Sequence, residues 1–393
     1  MRFPLLKNIH YLDNAATTQK PKIVIDTLKG FYERHNANAH RGTYKLSEDA
    51  TSMLEDSRKV FAKFLDASDE EIIFTKSATE GLNQLANSIE KTFKPGSSKN
   101  IVVTEIEHHS NFLPWQQLCK RTGAQFRVVK YKPDTDTLND ISELVDKDTL
   151  VVAFTGMSNV NGLLLDIDRM IADIRKKNSD AMIIIDATQL VAHKRLDVKS
   201  SGADFILFSA HKIYGTTGVG ILYGRKSLLE RLEPFFYGGN MIQSVSITDA
   251  VWAEIPEKFE AGTLDTAGIV ASAEAIKFID KDFEKLMKKE ISLKNYALRK
   301  LRKIEYVRII GHKNNNYGPV ISIVVDGVHP HDLATICDRD NVCIRAGHHC
   351  AQPFMNALGL NATARISISF YNTKKDIDAF LKSLEDAKRI ING

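Results

Sequence analysis

The chain has 393 residues, of which 53 are basic and 49 acidic, with a formal net charge of +4 and 43% hydrophobic residues. A chain of this length normally builds more than one hydrophobic core, so we expect two domains. Because the charges are spread without a long basic block, we expect no binding of nucleic acid. No run is long enough to span a membrane, and the charged N-terminus is atypical of a signal peptide. We therefore expect a cytoplasmic protein without membrane attachment.

The cysteine pattern agrees with a reducing compartment. The sequence has four cysteines, Cys119, Cys337, Cys343 and Cys350, and no two of them form a C-x-x-C pair. Four cysteines in so long a chain do not make a disulfide framework. We expect reduced thiols.

The order of predicted elements indicates an α/β protein. Short β-branched runs alternate with helical periodicity up to about residue 280, which predicts a mostly parallel sheet wrapped by helices. A basic, leucine-rich helix follows, and the apolar run 320–325 begins a smaller α+β unit. We predict a large domain of residues 15–280 and a small domain of residues 1–14 and 281–393. The predicted strands of the large domain are 72–74, 101–103, 126–129, 150–153, 182–185 and 205–208.

The first candidate site residues lie where a helix is predicted to begin. Residues 77–83 read Ser-Ala-Thr-Glu-Gly-Leu-Asn, with Ala78 and Thr79 in the first turn. Helix N-termini bind phosphate through their unpaired backbone N–H groups. The alternative is an ordinary N-cap with an acidic first turn.

Two further candidates follow predicted strands. His108 lies in Glu-His-His-Ser-Asn at 107–111, and Asn159 lies just past the strand that begins at residue 150. A histidine ring at this edge could stack on an aromatic cofactor and move protons, although many histidines are purely structural. The Asn159 amide could donate to a cofactor or to a substrate carboxylate.

The strands 182–185 and 205–208 end in the most informative residues. Asp186 follows the first strand, and Ser209-Ala210-His211-Lys212 follows the second. Open α/β sheets bind ligands at the carboxyl ends of their strands. Pyridoxal 5'-phosphate (PLP) requires a carboxylate for its pyridine nitrogen and a lysine that holds its aldehyde as a Schiff base. The sequence therefore predicts a PLP enzyme, with Ser209 and His211 as further phosphate contacts.

The C-terminal part carries a cysteine between cationic groups. Residues 345–353 read Arg-Ala-Gly-His-His-Cys-Ala-Gln-Pro, so that Cys350 follows His348 and His349. Cationic neighbours favour the nucleophilic thiolate. The alternative is a zinc site, but three contiguous side chains do not easily converge on one ion, and we expect no metal. Arg365 begins a predicted strand, where its fork could bind a carboxylate; alone it would be read as a surface arginine on an edge strand.

Together these motifs resemble the class V aminotransferase superfamily of fold-type I PLP enzymes. Within it they resemble the group II cysteine desulfurases of the SUF iron-sulfur assembly type, close to the selenocysteine lyases. The short Arg-x-Gly-His-His-Cys loop indicates group II. The matching segments are 11–16, 40–42, 78–80, 107–111 with 114–115, 158–159, 186–189, 209–212, 259–263 and 345–353.

The resemblance implies a role for each candidate. Lys212 would hold the PLP aldehyde, Asp186 the pyridinium nitrogen and Gln189 the ring hydroxyl, while His108 would stack on the ring. The implied phosphate contacts are Ala78, Thr79, Ser209, His211 and, reaching into the other subunit's site, Thr263, so a homodimer is implied. The implied substrate contacts are Ala15, Asn159 and Arg365. Lys212, His108 and Cys350 would be catalytic, with Cys350 as the sulfur acceptor.

The implied reaction removes sulfur from L-cysteine, gives L-alanine and leaves a persulfide on Cys350 for iron-sulfur cluster assembly. The resemblance also implies a sulfur-acceptor protein, and the segment around His331 resembles the group II branch whose acceptor contains zinc. Alternatively, His331 caps a helix beside Asp332. Other open readings are a selenocysteine lyase, a class V transaminase and a non-catalytic metal- or sulfur-binding scaffold. Tyr44 and Thr216 depart from the family's usual histidine and proline.

Overall fold

The computed structural model describes residues 3–93 and 98–392, apart from the side chain of residue 392. Its centre is a seven-stranded sheet in the order β2-β10-β9-β8-β7-β3-β4, in which β10 alone is antiparallel to its neighbours. The strands are β2 (Ile72–Thr75), β3 (Asn100–Thr104), β4 (Gln125–Val129), β7 (Thr149–Thr155), β8 (Met182–Asp186), β9 (Phe205–Ser209) and β10 (Gly220–Gly224).

Helices cover this sheet. They are α1 (Lys22–Arg34), α2 (Lys45–Leu65), α3 (Ala78–Glu90), α4 (Leu113–Thr122), α5 (Ile167–Lys177), α6 (Val198–Ser201), α7 (Lys226–Arg231) and α8 (Thr266–Asp280). Strands β8 and β9 are buried along their whole length, which explains their nearly continuous apolar sequence. The α/β architecture and the six predicted strands are confirmed. The sequence did not predict β10, because glycines flank its short apolar run and weaken the strand pattern.

A second, antiparallel sheet lies in the C-terminal part, in the order β13-β14-β17-β16. Its elements are α9 (Phe283–Leu301), β13 (Val307–Ile310), β14 (Val320–Val325), α10 (Pro330–Arg339), β15 (Val342–Cys343), β16 (Arg345–Gly347), α11 (Gln352–Ala357), β17 (Thr363–Ser367) and α12 (Lys374–Asn392). It has a hydrophobic core of its own, to which Leu12 contributes, whereas Phe3 packs into the core of the large sheet. The exact domain boundaries stay a prediction.

Three short ribbons complete the structure. β1 (His10–Tyr11) pairs with β15, and the turn at 132–137 joins β5 (Tyr131–Lys132) to β6 (Thr137–Leu138). The hairpin of β11 (Ile242–Val245) and β12 (Ala250–Trp252) projects exposed apolar side chains, including Val245 and Ile247. Within the described ranges, no helix is both long and apolar enough to cross a membrane.

Candidate active site

The carboxyl ends of β8 and β9 open into a cavity of about 210 Å³. Both strands run parallel, so the residues that follow them lie at the same edge of the sheet. Among the lining residues are all the predicted site residues except Thr263, namely Ala15, Ala78, Thr79, His108, Asn159, Asp186, Gln189, Ser209, His211, Lys212, Cys350 and Arg365. One cavity thus collects side chains from both sheets.

Lys212 lies in a 3₁₀ turn directly after β9. Its Nζ donates hydrogen bonds to Ala15 O at 2.6 Å and Ala16 O at 2.7 Å. Burial lowers the Lys212 pKa to about 7, and the positive charges of Arg365 and Arg345 act in the same direction. A larger share of the amine is then neutral and nucleophilic near pH 7 than for an exposed lysine.

Asp186 is the last residue of β8 and is almost completely buried. Its Oδ1 accepts a hydrogen bond from the backbone N–H of Thr188 at 2.9 Å. Burial raises the Asp186 pKa. A cationic ring nitrogen placed against this carboxylate would offset the cost of its desolvation.

The N-terminus of α3 faces the cavity and is suited to an anion. Ser77 caps the helix by accepting from Glu80 N, and Ser209 Oγ accepts from the Ala78 N–H at 2.9 Å. Thr79 Oγ1 lies 2.7 Å from Ser110 Oγ. A phosphate here would meet hydroxyls and the positive end of the helix dipole.

Histidine side chains near the cavity are held neutral. Burial lowers the His108 pKa to about 4 and the His211 pKa to about 3, and Lys212 acts in the same direction on both. His108 Nδ1 accepts from Ser110 N at 3.1 Å, which leaves Nε2 to carry the proton. A neutral ring can lie against an aromatic cofactor without a buried charge.

Glu107 belongs to the 107–111 motif, but the sequence predicted no role for it. It supports the 3₁₀ turn that His108 caps. It is fully buried and contacts Thr104 Oγ1 at 2.5 Å, Asn111 Nδ2 at 2.7 Å and the Thr155 N–H at 2.9 Å. Burial raises its pKa to about 8. The signal that could have found it is an acidic residue three positions after the end of the buried strand β3.

Arg365 lies in the middle of β17, not at its start, and β17 is flanked by β14 and β16. The reading as a surface arginine on an edge strand is therefore wrong, because only 1% of Arg365 is exposed. Its Nη1 donates to Asn159 O at 2.8 Å and its Nη2 to Asp13 Oδ1 at 3.1 Å. Its buried Nε has no hydrogen-bond partner among the described residues. A bound carboxylate would supply the acceptor that this N–H lacks.

Cys350 lies on the loop after β16, in an unusual backbone conformation. His349 and Cys350 both have positive φ angles, of 55° and 56°. Each such non-glycine residue costs about 1–2 kcal/mol, so the surrounding contacts must hold the loop. Asn159 Nδ2 donates to His349 O at 2.6 Å, and Arg345 Nη2 lies 3.8 Å from Cys350 Sγ.

The histidines beside Cys350 are engaged within the protein. His349 Nε2 lies 2.8 Å from Thr363 Oγ1, and His348 Nδ1 accepts from the Cys350 N–H at 3.2 Å. Among residues 3–93 and 98–392 there is no group of three or more side chains arranged to bind a metal.

The remaining residues of interest lie outside the cavity. Thr263 is exposed on the segment before α8 and lines two other surface depressions. Tyr44 is 55% exposed and precedes α2, away from the cavity lining. Thr216 Oγ1 lies 3.1 Å from Gly268 O and 3.0 Å from Ser272 Oγ, so hydrogen bonds to α8 stiffen the loop where the family usually has proline.

The residues present fit PLP. The cavity combines a lysine of lowered pKa, a buried acid, an anion-suited helix N-terminus and the unpaired Nε of Arg365. These are the donors and acceptors that a pyridine aldehyde with a phosphate and an amino-acid carboxylate would require.

Comparison with known proteins agrees with this chemistry. A probable cysteine desulfurase of Halalkalibacterium halodurans is 42% identical over 381 residues, which cover 96% of this chain and 93% of that relative. The apo structure of a cysteine desulfurase from Thermococcus onnurineus superposes with a TM-score of 0.94 at 35% identity, covering 100% and 97% of the two chains. A C-DES variant with glycine covalently linked to its PLP cofactor is 18% identical, with a TM-score of 0.85 and 98% coverage of both chains, and shows the shared fold alone.

The family itself follows from the sequence profile of class-V aminotransferases, which matches residues 10–380. That match covers nearly the whole chain, and both sheets and the cavity lie within it. The chain therefore belongs to the class-V aminotransferase family, with the architecture of fold-type I PLP enzymes.

Proposed function

We propose that this chain is a PLP-dependent cysteine desulfurase that converts L-cysteine to L-alanine and retains the sulfur as a persulfide on Cys350. One observation carries the proposal: Lys212, Asp186 and the free thiol of Cys350 line a single cavity. A transaminase would need the first two groups only. The names of the relatives at 35–42% identity support the same activity.

In this proposal, different side chains around the cavity hold different parts of the cofactor. Lys212 holds the aldehyde, Asp186 the ring nitrogen, Gln189 the ring hydroxyl and His108 the ring face. The phosphate contacts are Ala78, Thr79, Ser209 and His211. The Ala78 N–H donates to Ser209 Oγ, so both groups lie at the start of α3. Their closeness supports one phosphate position that both groups contact.

The reaction needs a proton carrier, a carboxylate contact and a nucleophile. When bound, PLP supplies an electron-accepting ring that makes the Cα–H of an amino acid acidic. Lys212 takes this proton and returns it, since its lowered pKa leaves a neutral amine available. The unpaired Nε of Arg365 holds the substrate carboxylate, supported by the Asn159 backbone, and Ala15 lines the substrate side.

Sulfur transfer uses Cys350. Its thiolate attacks the substrate Sγ, so that an S–S bond forms while the Cβ–Sγ bond breaks. The electron pair of the broken bond stays with the carbon skeleton, which takes up a proton. Cysteine and the Cys350 thiol thus become alanine and the Cys350 persulfide, with all atoms accounted for.

The proposal extends to a cytoplasmic homodimer that hands its sulfur to an acceptor protein of the SUF iron-sulfur assembly system. Thr263 supports the dimer, because it lies on the surface outside its own chain's cavity and would complete the partner's phosphate site. The exposed apolar residues of the β11–β12 hairpin suit a contact with a second copy. The four free thiols suit a reducing compartment.

The test is to incubate PLP-loaded protein with L-cysteine and to quantify alanine and the mass of the Cys350 peptide. We expect one alanine per added sulfur, with the extra sulfur on Cys350. Pyruvate and ammonia, or the amino group retained on the cofactor without alanine release, would contradict the proposal. Turnover of L-selenocysteine alone would identify a lyase for that amino acid instead.

A further inference from the structure

His109, the second histidine of the 107–111 motif, joins the Cys350 loop to the large sheet. It lies in the 3₁₀ turn His109–Asn111. Its backbone N–H donates to Cys350 O at 2.7 Å, and its ring Nε2 accepts from the Gln352 N–H at 3.1 Å. His109, at the edge of the large sheet, therefore contacts the loop at both Cys350 and Gln352.

The ring contact supplies a helix cap that the local sequence lacks. α11 begins at Gln352, and the preceding residue, Ala351, has no side chain that could cap it. The first N–H groups of a helix need acceptors from elsewhere. His109 Nε2 satisfies the first of them, from a position 243 residues away in the sequence.

Hydrophobic packing holds the rest of α11 in place. Ala351, Phe354 and Met355 are buried in a hydrophobic cluster with Tyr131, whose ring packs edge-on against Phe354. Hydrophobic packing fixes the helix on one face, but it does not fix the direction of its first turn. The directional contact at that turn is the hydrogen bond to His109.

We propose that His109 is a positioning residue, which fixes Cys350 Sγ at the cavity through the hydrogen bond between Gln352 N–H and His109 Nε2. The inference rests on the proposed function, because it takes Cys350 as the sulfur acceptor. His109 itself does not line the cavity that holds Lys212. It acts on the reaction only through the loop, whose left-handed residues need outside support.

Two variants test this role, and both carry a side-chain amide but hold it at different distances from the backbone. In His109→Gln the side-chain oxygen reaches about as far as Nε2, whereas in His109→Asn it falls short of Gln352; both keep the backbone bond. We expect His109→Asn to lower kcat for alanine and persulfide formation by about 10- to 100-fold, as for a misplaced reacting group. KM for cysteine and bound PLP should stay at wild-type values, and His109→Gln should recover most of kcat.

Gln117→Ala is the matched control, because Gln117 lines the same surface groove as His109 but its side chain donates to the neighbouring Gln116. It should behave as wild type. If His109→Asn is too unstable, His109→Leu, which also lacks the acceptor, takes its place.

Amide hydrogen exchange of residues 351–355 in the PLP-loaded proteins gives a readout independent of turnover. Exchange should accelerate in His109→Asn and return to the wild-type rate in His109→Gln. Wild-type kcat or unchanged exchange in His109→Asn would overturn the inference, as would failure of His109→Gln to restore both. A wild-type protein that makes no alanine would instead refute the proposed function, while the exchange rates still decide whether His109 holds the loop.

Discussion

The two sides of the cavity are built in different ways. Asp186 and Lys212 come from the ends of buried parallel strands, so the sheet itself sets their positions. Cys350 comes from a loop of the smaller sheet with left-handed backbone, and contacts from the other sheet hold it. A cofactor site gains from a rigid base, whereas the thiol that we propose as the sulfur acceptor is only partly buried, on a loop that needs contacts from the other sheet. Substitutions on the two sides should therefore impair different steps.

The largest effect is expected from Lys212→Ala on the strand side. The variant loses the buried amine of lowered pKa that we propose takes the aldehyde. We expect no covalently held PLP, no incorporation after borohydride reduction and no alanine formation. Absorbance spectra and peptide mass spectrometry measure this. A borohydride-reducible adduct in the variant would show that another lysine holds the cofactor.

Cys350→Ser, on the loop side, should leave cofactor binding intact. The strand ends that we propose hold PLP do not include Cys350, so the yellow colour and the spectral response to cysteine should persist. Alanine release from cysteine should fall to the background rate, because a hydroxyl is a poor nucleophile toward sulfur. Less loss is expected with selenocysteine, since selenium leaves more readily. Added sulfur on Cys119, Cys337 or Cys343 in the wild type would identify a different acceptor.

Glu107→Ala should lower the stability of the fold without removing any of the proposed catalytic groups. It removes the acceptor of Asn111 Nδ2 and of the Thr155 N–H, both buried. We expect a loss of about 3 kcal/mol or more in the free energy of unfolding, seen as a lower thermal midpoint. Glu33→Ala is the control, because Glu33 lies on the surface and pairs there with the exposed Lys29 and Arg34. Equal midpoints for the two variants would contradict the supporting role of Glu107.

The sequence predicted the strand side far better than the loop side. Asp186 and Lys212 follow apolar runs, and in a parallel sheet that pattern alone brings them together. The loop contacts depend on tertiary packing: Asn159 meets His349 across 190 residues and His109 meets Gln352 across 243. No local pattern reports such contacts.

The local sequence pattern also does not predict how deeply a polar side chain is buried. The sequence predicts Arg365 on a strand as a carboxylate contact, but its burial follows only from the flanking strands β14 and β16 and the contact with Asp13. Thr263 illustrates the opposite limit, because the residues that it would contact belong to a second copy of the chain. Its phosphate role stays a prediction, as do the individual roles of the other site residues.

The smallest effect is expected from His331→Ala, in the first turn of α10, a helix that packs against the cysteine-bearing sheet. The idea that His331 caps α10 is wrong: His329 is the N-cap, and its side chain accepts from the His331 N–H at 3.3 Å. The His331 ring is exposed and stacks on His329 with 5.4 Å between ring centres. It is therefore accessible to a partner protein.

An exposed imidazole is a good ligand for zinc, so His331 could displace a cysteine from an acceptor's zinc and free that thiol to take the sulfur. We expect His331→Ala to lose stimulation by a zinc-containing acceptor while slow, reductant-driven alanine release continues unchanged. His329→Asn is the matched control, because it keeps a capping side chain and removes the neighbouring ring. Equal stimulation of wild type and His331→Ala, or stimulation only by an acceptor without zinc, would show that the sulfur leaves Cys350 without help from this helix.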